Sequence, residues 1–148
     1  MKVYILTFTI LALDQILKWL VVRNMQLHQS LPVIKGIFHL TYVHNFGAAF
    51  SLFANYPVLL TLVALLIVLL LLIFLAKLPQ QERLLRLALA IILGGALGNL
   101  LDRLRLGYVI DFLDFRIWPV FNLADMAIVL GVGLLFWAMT KMPQEKGI

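Results

Sequence analysis

The sequence predicts an all-α membrane protein with four transmembrane helices and a small extracytoplasmic β-sheet at the membrane surface. Of its 148 residues, 64% are hydrophobic and only 13% are charged, whereas soluble domains are about half apolar and a quarter charged. Four apolar stretches are each long enough to cross a hydrocarbon core of roughly 30 Å, which takes about 20 helical residues. We therefore expect a single integral membrane domain over residues 1–148.

The four helices are expected at about residues 3–22, 58–76, 84–101 and 120–139. The second is the clearest, because Thr61 is its only polar residue and Pro57 suits a first helical turn. A cleaved signal peptide is the alternative for the first stretch. The apolar run continues through residues 19–22, however, and no small-residue cleavage site follows it.

Two of the helices carry a face of small residues. Ala90, Gly94 and Gly98 recur at spacings of four in the third helix, and Ala127 and Gly131 do so in the fourth. Small residues at this spacing allow the backbones of membrane helices to approach closely. The third and fourth helices are therefore expected to pack tightly against neighbours.

The outer loop, residues 23–56, is too polar to span a membrane. Residues 36–44 are rich in β-branched and aromatic side chains and predict a strand, and residues 111–118 also have an extended pattern. Unpaired strand edges are not tolerated in lipid. We therefore expect a small sheet that lies at the membrane surface.

Charge predicts both orientation and the location of a site. Lys and Arg are dense in the terminal segments and the loop at residues 77–86, which places both termini in the cytoplasm by the positive-inside rule. All five aspartates fall toward the opposite membrane face: Asp14, Asp102, Asp111, Asp114 and Asp125. Asn45, Asn99 and Asn122 join them. Costly polar groups at one end of apolar helices indicate a shared site.

Several kinds of chemistry are excluded or disfavoured. The chain has no cysteine, which excludes disulfides, thiolate metal sites and a cysteine nucleophile. Its two serines lie outside any GxSxG motif, and its three histidines, all in the outer loop, are expected to be solvated. No basic run with interleaved aromatics suggests nucleic-acid binding. Neither a metal nor a cofactor is expected.

The remaining chemistry is that of paired aspartates. Two carboxylates held close together share one proton, so the ionised one can activate water while the protonated one donates to a carbonyl. Asp111 follows the third helix and Asp125 lies early in the fourth, a separation short enough for both to reach one place. Structural ion pairing, as for Asp14 and Lys18 four residues apart, and a cation site remain the alternatives.

The chain contains four motifs in order: DQxxK at residues 14–18, NxGAAFS at 45–51, GNxxDRxxxGxVxDF at 98–112 and FNxAD at 121–125. Together they resemble the motifs of the lipoprotein signal peptidase (signal peptidase II) family. The resemblance covers nearly the whole chain. It implies an aspartic endopeptidase of the bacterial cytoplasmic (inner) membrane, with Asp111 and Asp125 as the catalytic pair and the site at the periplasmic or outer face.

The resemblance also implies the surroundings of that pair and its partners. Supporting or substrate-binding roles fall to Asp14, Lys18, Asn45, Gly47, Asn99, Asp102, Arg103, Asn122 and Ala124. The substrate would be a prolipoprotein that carries a diacylglyceryl group and is cleaved just before the lipidated cysteine, in contact with membrane lipid. Lipopeptides of the globomycin type are expected to compete for the site.

Two rival functions come from other classes. Clustered aspartates in a membrane can relay ions, which would make the protein a small proton or cation carrier. Alternatively, the loop at residues 23–56 could serve a non-enzymatic assembly factor as an interaction surface. The loss of one carboxylate would abolish a peptidase, whereas an assembly factor would tolerate it.

Overall fold

The computed structural model describes residues 2–47 and 52–141. Its elements follow the order α1 Lys2–Asn24, β1 Ser30–Ile34, β2 Phe38–Asn45, α2 Pro57–Lys77, α3 Arg83–Leu106, β3 Val109–Asp114 and α4 Leu123–Thr140. Within these described residues, four helices are long and apolar enough to cross a membrane. This confirms the predicted class of four membrane-length helices with a small antiparallel sheet.

Two helix ends differ from the prediction by three or more residues, and local capping explains both. α3 runs to Leu106 instead of stopping near residue 101, and it ends at Gly107, whose φ of 82° is left-handed and is adopted readily by glycine. α4 begins at Leu123 instead of residue 120, because Asn122 is its N-cap. The Asn122 side chain accepts from the Asp125 backbone N–H, and the Asp125 carboxylate accepts from the Asn122 backbone N–H, which forms a capping box.

α3 is the central helix of the bundle. In its membrane-length stretch 72% of the residues are buried, against 22%, 11% and 22% in α1, α2 and α4. The predicted face of small residues packs on α1, where a Cβ added to Gly94 would lie 2.9 Å from the Ile10 Cβ. At Ala90 the carbonyl oxygen accepts a hydrogen bond of 3.0 Å from the Thr7 hydroxyl. The backbones of the two helices are therefore in near contact.

A second close approach joins α3 to α4. A Cβ added to Gly95 would collide with the carbonyl oxygen of Ala124, and one added to Gly131 would lie 2.6 Å from Ile92 Cγ1. The contact at Gly131 lies on the face of small residues predicted for α4, whereas Gly95 does not belong to the face predicted for α3. The contact at Gly95 holds the start of α4 against α3. It therefore determines where Asp125, in the first turn of α4, lies relative to α3.

α2 packs more loosely at the side of the bundle. Its buried residues Val68 and Leu75 join a cluster with Leu93 of α3. Near the end of α2, the buried guanidinium of Arg86 donates to the carbonyl oxygens of Leu75 and Leu78, at 3.0 and 2.6 Å. A cation at a helix C-terminus satisfies carbonyls that have no partner within the helix. Much of the remaining α2 surface is apolar and exposed, as suits a lipid-facing helix.

The sheet has the order β1-β2-β3, with both pairs antiparallel. β2 and β3 agree with the predicted extended segments, although β3 starts before residue 111 and ends at Asp114. β1, by contrast, was not predicted. In the register between β2 and β3, Val43 pairs with Asp111. Tyr42, Ile110 and Phe112 of the sheet bury a cluster with Val21, near the end of α1. The sheet thus carries Asp111 to one end of the helix bundle.

The contact between Gly95 and Ala124 leads to a testable prediction. We expect Gly95→Ala to lower the free energy of unfolding by ~1–3 kcal/mol, because the new methyl group must force α3 and α4 apart. The matched control is Gly133→Ala in α4, where nothing lies within 4 Å of the added Cβ; it should be neutral or stabilising by up to ~1 kcal/mol. Thermal unfolding of the two purified variants measures the difference, and equal stabilities would contradict the close approach.

Candidate active site

A cleft of about 630 Å³ opens where α3, β3 and the start of α4 meet. Five of the residues that the sequence singled out line it: Asn45, Asn99, Arg103, Asp111 and Asp125. They come from β2, α3, β3 and α4. The fold therefore gathers polar residues from distant parts of the chain at one end of the membrane-length helices.

Asn122 connects the two carboxylates. Its side-chain nitrogen donates to Asp111 Oδ1 at 2.7 Å, and its backbone N–H donates to Asp125 Oδ2 at 3.3 Å. The side chain of Asp111 is almost fully buried, with 1% exposure of the residue, whereas Asp125 is half-buried. One residue thus contacts both members of the expected pair, which share the same cleft.

Three asparagine amides turn their nitrogens toward this pair. Asn45 Nδ2 donates to Asp111 Oδ2 at 2.9 Å, and Asn99 Nδ2 donates to Asp125 Oδ1 at 2.7 Å. Asn122 supplies the third amide. All these donors favour negative charge on the carboxylates. The arrangement therefore suits a pair that carries one negative charge and shares one proton.

Each amide is held in this orientation by a group that can only donate. The oxygen of Asn45 accepts from the Gly47 backbone N–H at 3.0 Å, and the oxygen of Asn122 accepts from the Asp125 backbone N–H at 2.9 Å. The oxygen of Asn99 accepts from the Lys18 ammonium at 3.1 Å. Because an ammonium or a backbone N–H has no lone pair to offer, a flipped amide would lose its bond on both sides.

The two carboxylates have different surroundings. Burial, and next the negative charge of Asp125, raise the pKa of Asp111 to about 7, although hydrogen bonds from Asn45 and Asn122 act in the opposite direction. Asp125 lies in the first turn of α4, where the helix dipole favours an anion. Asp111 is therefore suited to hold a proton.

Arg103 brings a positive charge to the cleft. Its guanidinium donates to the carbonyl oxygen of Gly47 at 3.1 Å, which accounts for the position of Gly47 at the edge of the site. Asn99 and Arg103, four residues apart on one face of α3, both line the cleft. Residues 48–51 of the NxGAAFS motif lie outside the described residues.

Asp14, Lys18 and Asp102 form a buried cluster behind the cleft. The Lys18 ammonium lies 2.8 Å from a carboxylate oxygen of each aspartate, and Lys18 is 1% exposed. Asp14 accepts from the backbone N–H of Ala124 at 2.9 Å, and Asp102 accepts from that of Ile110 at 3.1 Å. The cluster thus connects α1 and α3 to the backbone beside each catalytic candidate, Asp125 and Asp111.

Other residues depart from the sequence-based prediction. His39 and His44 belong to β2 instead of a solvated loop, and His44 lines the cleft, stacks on Tyr108 and hydrogen bonds to the Tyr42 hydroxyl at 2.8 Å. Burial, with a smaller effect of His28, lowers the pKa of His44.

Asp114 does not join the cleft, contrary to the grouping of all five aspartates. It accepts from the Thr41 hydroxyl at 2.7 Å and the Arg116 guanidinium at 3.0 Å. Its neighbour in β3, Asp111, therefore has a different environment despite the small separation in sequence.

The sequence did not predict the largely apolar walls of the cleft, which are Val43, Val109, Trp118, Pro119, Val120, Phe121, Ile128 and Val129. The alternation in β2 was the one indication of them, because Val43 and Asn45 lie two residues apart and therefore on the same face of the strand.

Gln15 was also not predicted as a supporting residue, although it belongs to the first motif. Its amide donates to Asp102 Oδ1 at 3.0 Å and to the Gly98 carbonyl at 3.3 Å.

The possible cation site lacks a set of ligands. Among the described residues, no group of three or more His, Asp or Glu side chains lies close enough together to hold a metal ion. The buried cluster contains two carboxylates, but an ammonium already occupies the space between them. The described geometry therefore favours the aspartate pair over a protein-held cation.

Known proteins resemble this chain over nearly its whole length. The family model for signal peptidase (SPase) II matches residues 6–141. The lipoprotein signal peptidase of Moorella thermoacetica is 54% identical over 99% of this chain and 98% of its own length. The lipoprotein signal peptidase of Halothermothrix orenii is 46% identical over 95% of this chain and 98% of its own length.

A solved structure described as a bacterial membrane enzyme has the same fold. It aligns with a TM-score of 0.89 at 28% identity, over 99% of this chain and 94% of that chain. The family model and the two lipoprotein signal peptidases therefore show that this chain belongs to the signal peptidase II family, a family of membrane peptidases.

Proposed function

We propose that this protein is an aspartic endopeptidase that removes the signal peptide from diacylglyceryl-modified prolipoproteins, cleaving just before the lipidated cysteine. One observation carries the proposal: Asn122 connects Asp111 and Asp125 in a cleft at one end of the helix bundle. Membership of the signal peptidase II family supplies the substrate class. The ion-carrier alternative is not favoured, because the relatives are peptidases.

In the proposed reaction Asp125 is the base and Asp111 the acid. Asp125 takes a proton from water as the water oxygen bonds to the scissile carbonyl carbon, while Asp111 gives its proton to the carbonyl oxygen. The product of this step is a neutral tetrahedral diol. Asp125 then protonates the amine nitrogen of the cysteine as the C–N bond breaks, and Asp111 recovers a proton from a hydroxyl of the diol.

Asn45, Asn99 and Asn122 hold the carboxylates during both steps. Arg103 places a cation in the cleft, where its guanidinium can orient a substrate carbonyl. We assign supporting roles to the buried cluster of Asp14, Lys18 and Asp102, which acts from behind the cleft. Gly47 and Ala124 contribute backbone groups only.

The position of the cleft suits a substrate anchored by lipid. Val129 lines the cleft and is 69% exposed on α4, so the cleft borders the surface that faces lipid. The acyl chains of the substrate would stay in the bilayer while the scissile bond reaches the carboxylates. We propose that residues 1–148 form one peptidase domain in the bacterial cytoplasmic (inner) membrane. Both termini would be cytoplasmic and the cleft would face the periplasm or the exterior, as the distribution of Lys and Arg predicts.

The first prediction from the proposed function tests the pair of carboxylates. Asp111→Asn and Asp125→Asn, made separately, should each reduce kcat/KM by about 10²–10⁴-fold, the usual contribution of one general acid or base. The measurement is cleavage of lipid-modified precursor by purified protein in detergent. Asp114→Asn is the matched control: it lies in the same strand as Asp111 but outside the cleft, and should keep most of the parental turnover.

Parental turnover by either Asp111→Asn or Asp125→Asn would refute the assignment of the pair. A second observation would refute the metal-independent mechanism: loss of activity in a chelator, with recovery on adding zinc or magnesium.

The second prediction concerns pH. Asp111 keeps its catalytic proton below pH about 7 and loses it above, because its pKa is raised to about 7; kcat/KM should therefore fall with increasing pH beyond this value. The charged or titratable groups around it are Asp125 of α4, Arg103 of α3, Lys18 of α1 and His44 of β2. His44→Gln is the control, because burial lowers the pKa of His44 and its loss of a proton cannot cause a decline above this pH.

A profile that stays level from pH 6 to 9 would contradict a proton held by Asp111. A decline that disappears in His44→Gln would assign the titration to the histidine instead.

The third prediction concerns the substrate. A peptide with a diacylglyceryl cysteine should be cleaved more than about 100-fold faster, in kcat/KM, than its unlipidated twin, because acyl chains contribute ~0.8 kcal/mol per buried CH₂. A globomycin-type lipopeptide should raise the apparent KM without changing kcat. Equal cleavage of the two peptides would show that the lipid is not recognised.

A further inference from the structure

The reaction proposed above makes no direct use of Lys18. This side chain is 1% exposed and is not one of the described residues that line the cleft. A buried ammonium between two carboxylates is usually explained by charge balance alone.

The ammonium of Lys18 has three hydrogens and three acceptors. Two acceptors are carboxylate oxygens of Asp14 and Asp102, each at 2.8 Å. The third is Asn99 Oδ1, at 3.1 Å. Charge balance accounts for the first two contacts and does not require the third, which points toward the catalytic pair.

That third contact determines which end of the Asn99 amide faces Asp125. Lys18 can only donate, so it holds the amide oxygen on its own side and leaves Nδ2 to donate to Asp125 Oδ1, at 2.7 Å. If the amide rotated, its oxygen would face the carboxylate and repel it. The ammonium is thus two hydrogen bonds away from the proposed base.

Asn99 Oδ1 has a second donor, Asn122. Asn122 Nδ2 approaches this oxygen at 3.0 Å, and the same nitrogen also lies 2.7 Å from Asp111 Oδ1 and 3.3 Å from the Ile110 carbonyl. Its two hydrogens match the two shorter contacts, to Asp111 and Asn99. Lys18 and Asn122 therefore hold the oxygen of Asn99 together, and Lys18 is the donor that carries a charge.

We propose that Lys18 is a positioning residue for the reaction, which acts through Asn99 to keep an N–H donor on Asp125. The inference rests on the proposed function, since it assumes that Asp125 reacts. It adds a role in turnover to the charge balance within the buried cluster. It also separates Lys18 from Arg103, the cation that reaches the cleft itself.

The test is a double-mutant cycle of Lys18→Met and Asn99→Leu, assayed on lipidated peptide. Each single variant should lower kcat by up to about 100-fold, the effect of a small misplacement of a catalytic group, and Lys18→Met should leave KM unchanged. If Lys18 acts through Asn99, the double variant should be no slower than the slower single one. Multiplied effects, or kcat of Lys18→Met within twofold of the parent, would overturn the proposal.

Lys18→Met leaves two buried carboxylates without a cation and can prevent folding. A second comparison therefore uses Asp14→Asn/Asp102→Asn with and without Lys18→Met, so that the cluster contains no carboxylate in either protein. Replacing the ammonium by an apolar chain should then raise thermal stability yet lower kcat. A triple variant that matches the double one in kcat would show that Lys18 has no role in turnover.

The variants Asp111→Asn and Asp125→Asn, run beside these, separate the two hypotheses. If they are inactive while Lys18→Met keeps parental kcat, the inference about Lys18 fails and the proposed function stands. If Asp111→Asn and Asp125→Asn cleave at the parental rate, the proposed function itself fails.

Discussion

The site depends on the hydrogen bonds of one fully buried residue, Asn122, which is 0% exposed. Its side chain caps α4 through the Asp125 N–H and donates to Asp111 and to Asn99. Elements that are far apart in sequence therefore meet at a single amide. A buried amide that lacks its hydrogen bonds is costly. The hydrogen bonds of Asn122 therefore hold α3, β3 and α4 together.

Close helix packing makes that meeting possible. Gly95 lets the backbone of α4 lie against α3, and Gly98 leaves room for the Asp14 carboxylate beside α3. The same carboxylate accepts from the Ala124 N–H, next to the proposed base. Larger side chains at these two glycines would move α1 and α4 outward. The geometry of the proposed site therefore rests on small residues in the middle of an apolar helix.

Charge near the end of an apolar bundle is tolerated here because nearly every charge has assigned partners. The Lys18 ammonium uses all three hydrogens, and both carboxylates of the proposed pair receive amide N–H groups. Asp111 is more deeply buried than Asp125, whereas Asp125 lies at the start of α4, where the helix dipole favours an anion. Two chemically identical side chains thus have different surroundings, and in the proposed reaction these surroundings assign one the role of acid and the other the role of base.

Sequence alone was sufficient for the fold class, for the small faces of α3 and α4, and for five of the polar residues that line the cleft. Apolar length, spacing of four and motif order are local properties, so they can be read from neighbouring letters. It was not sufficient for the end of α3 at Gly107, the exclusion of Asp114, the cleft position of His44 or the apolar walls. These depend on capping, on strand register and on contacts between elements far apart in the chain. Only the folded chain decides which end of each amide faces a carboxylate, because that choice is made by donors such as Lys18, which lies 81 residues away from Asn99.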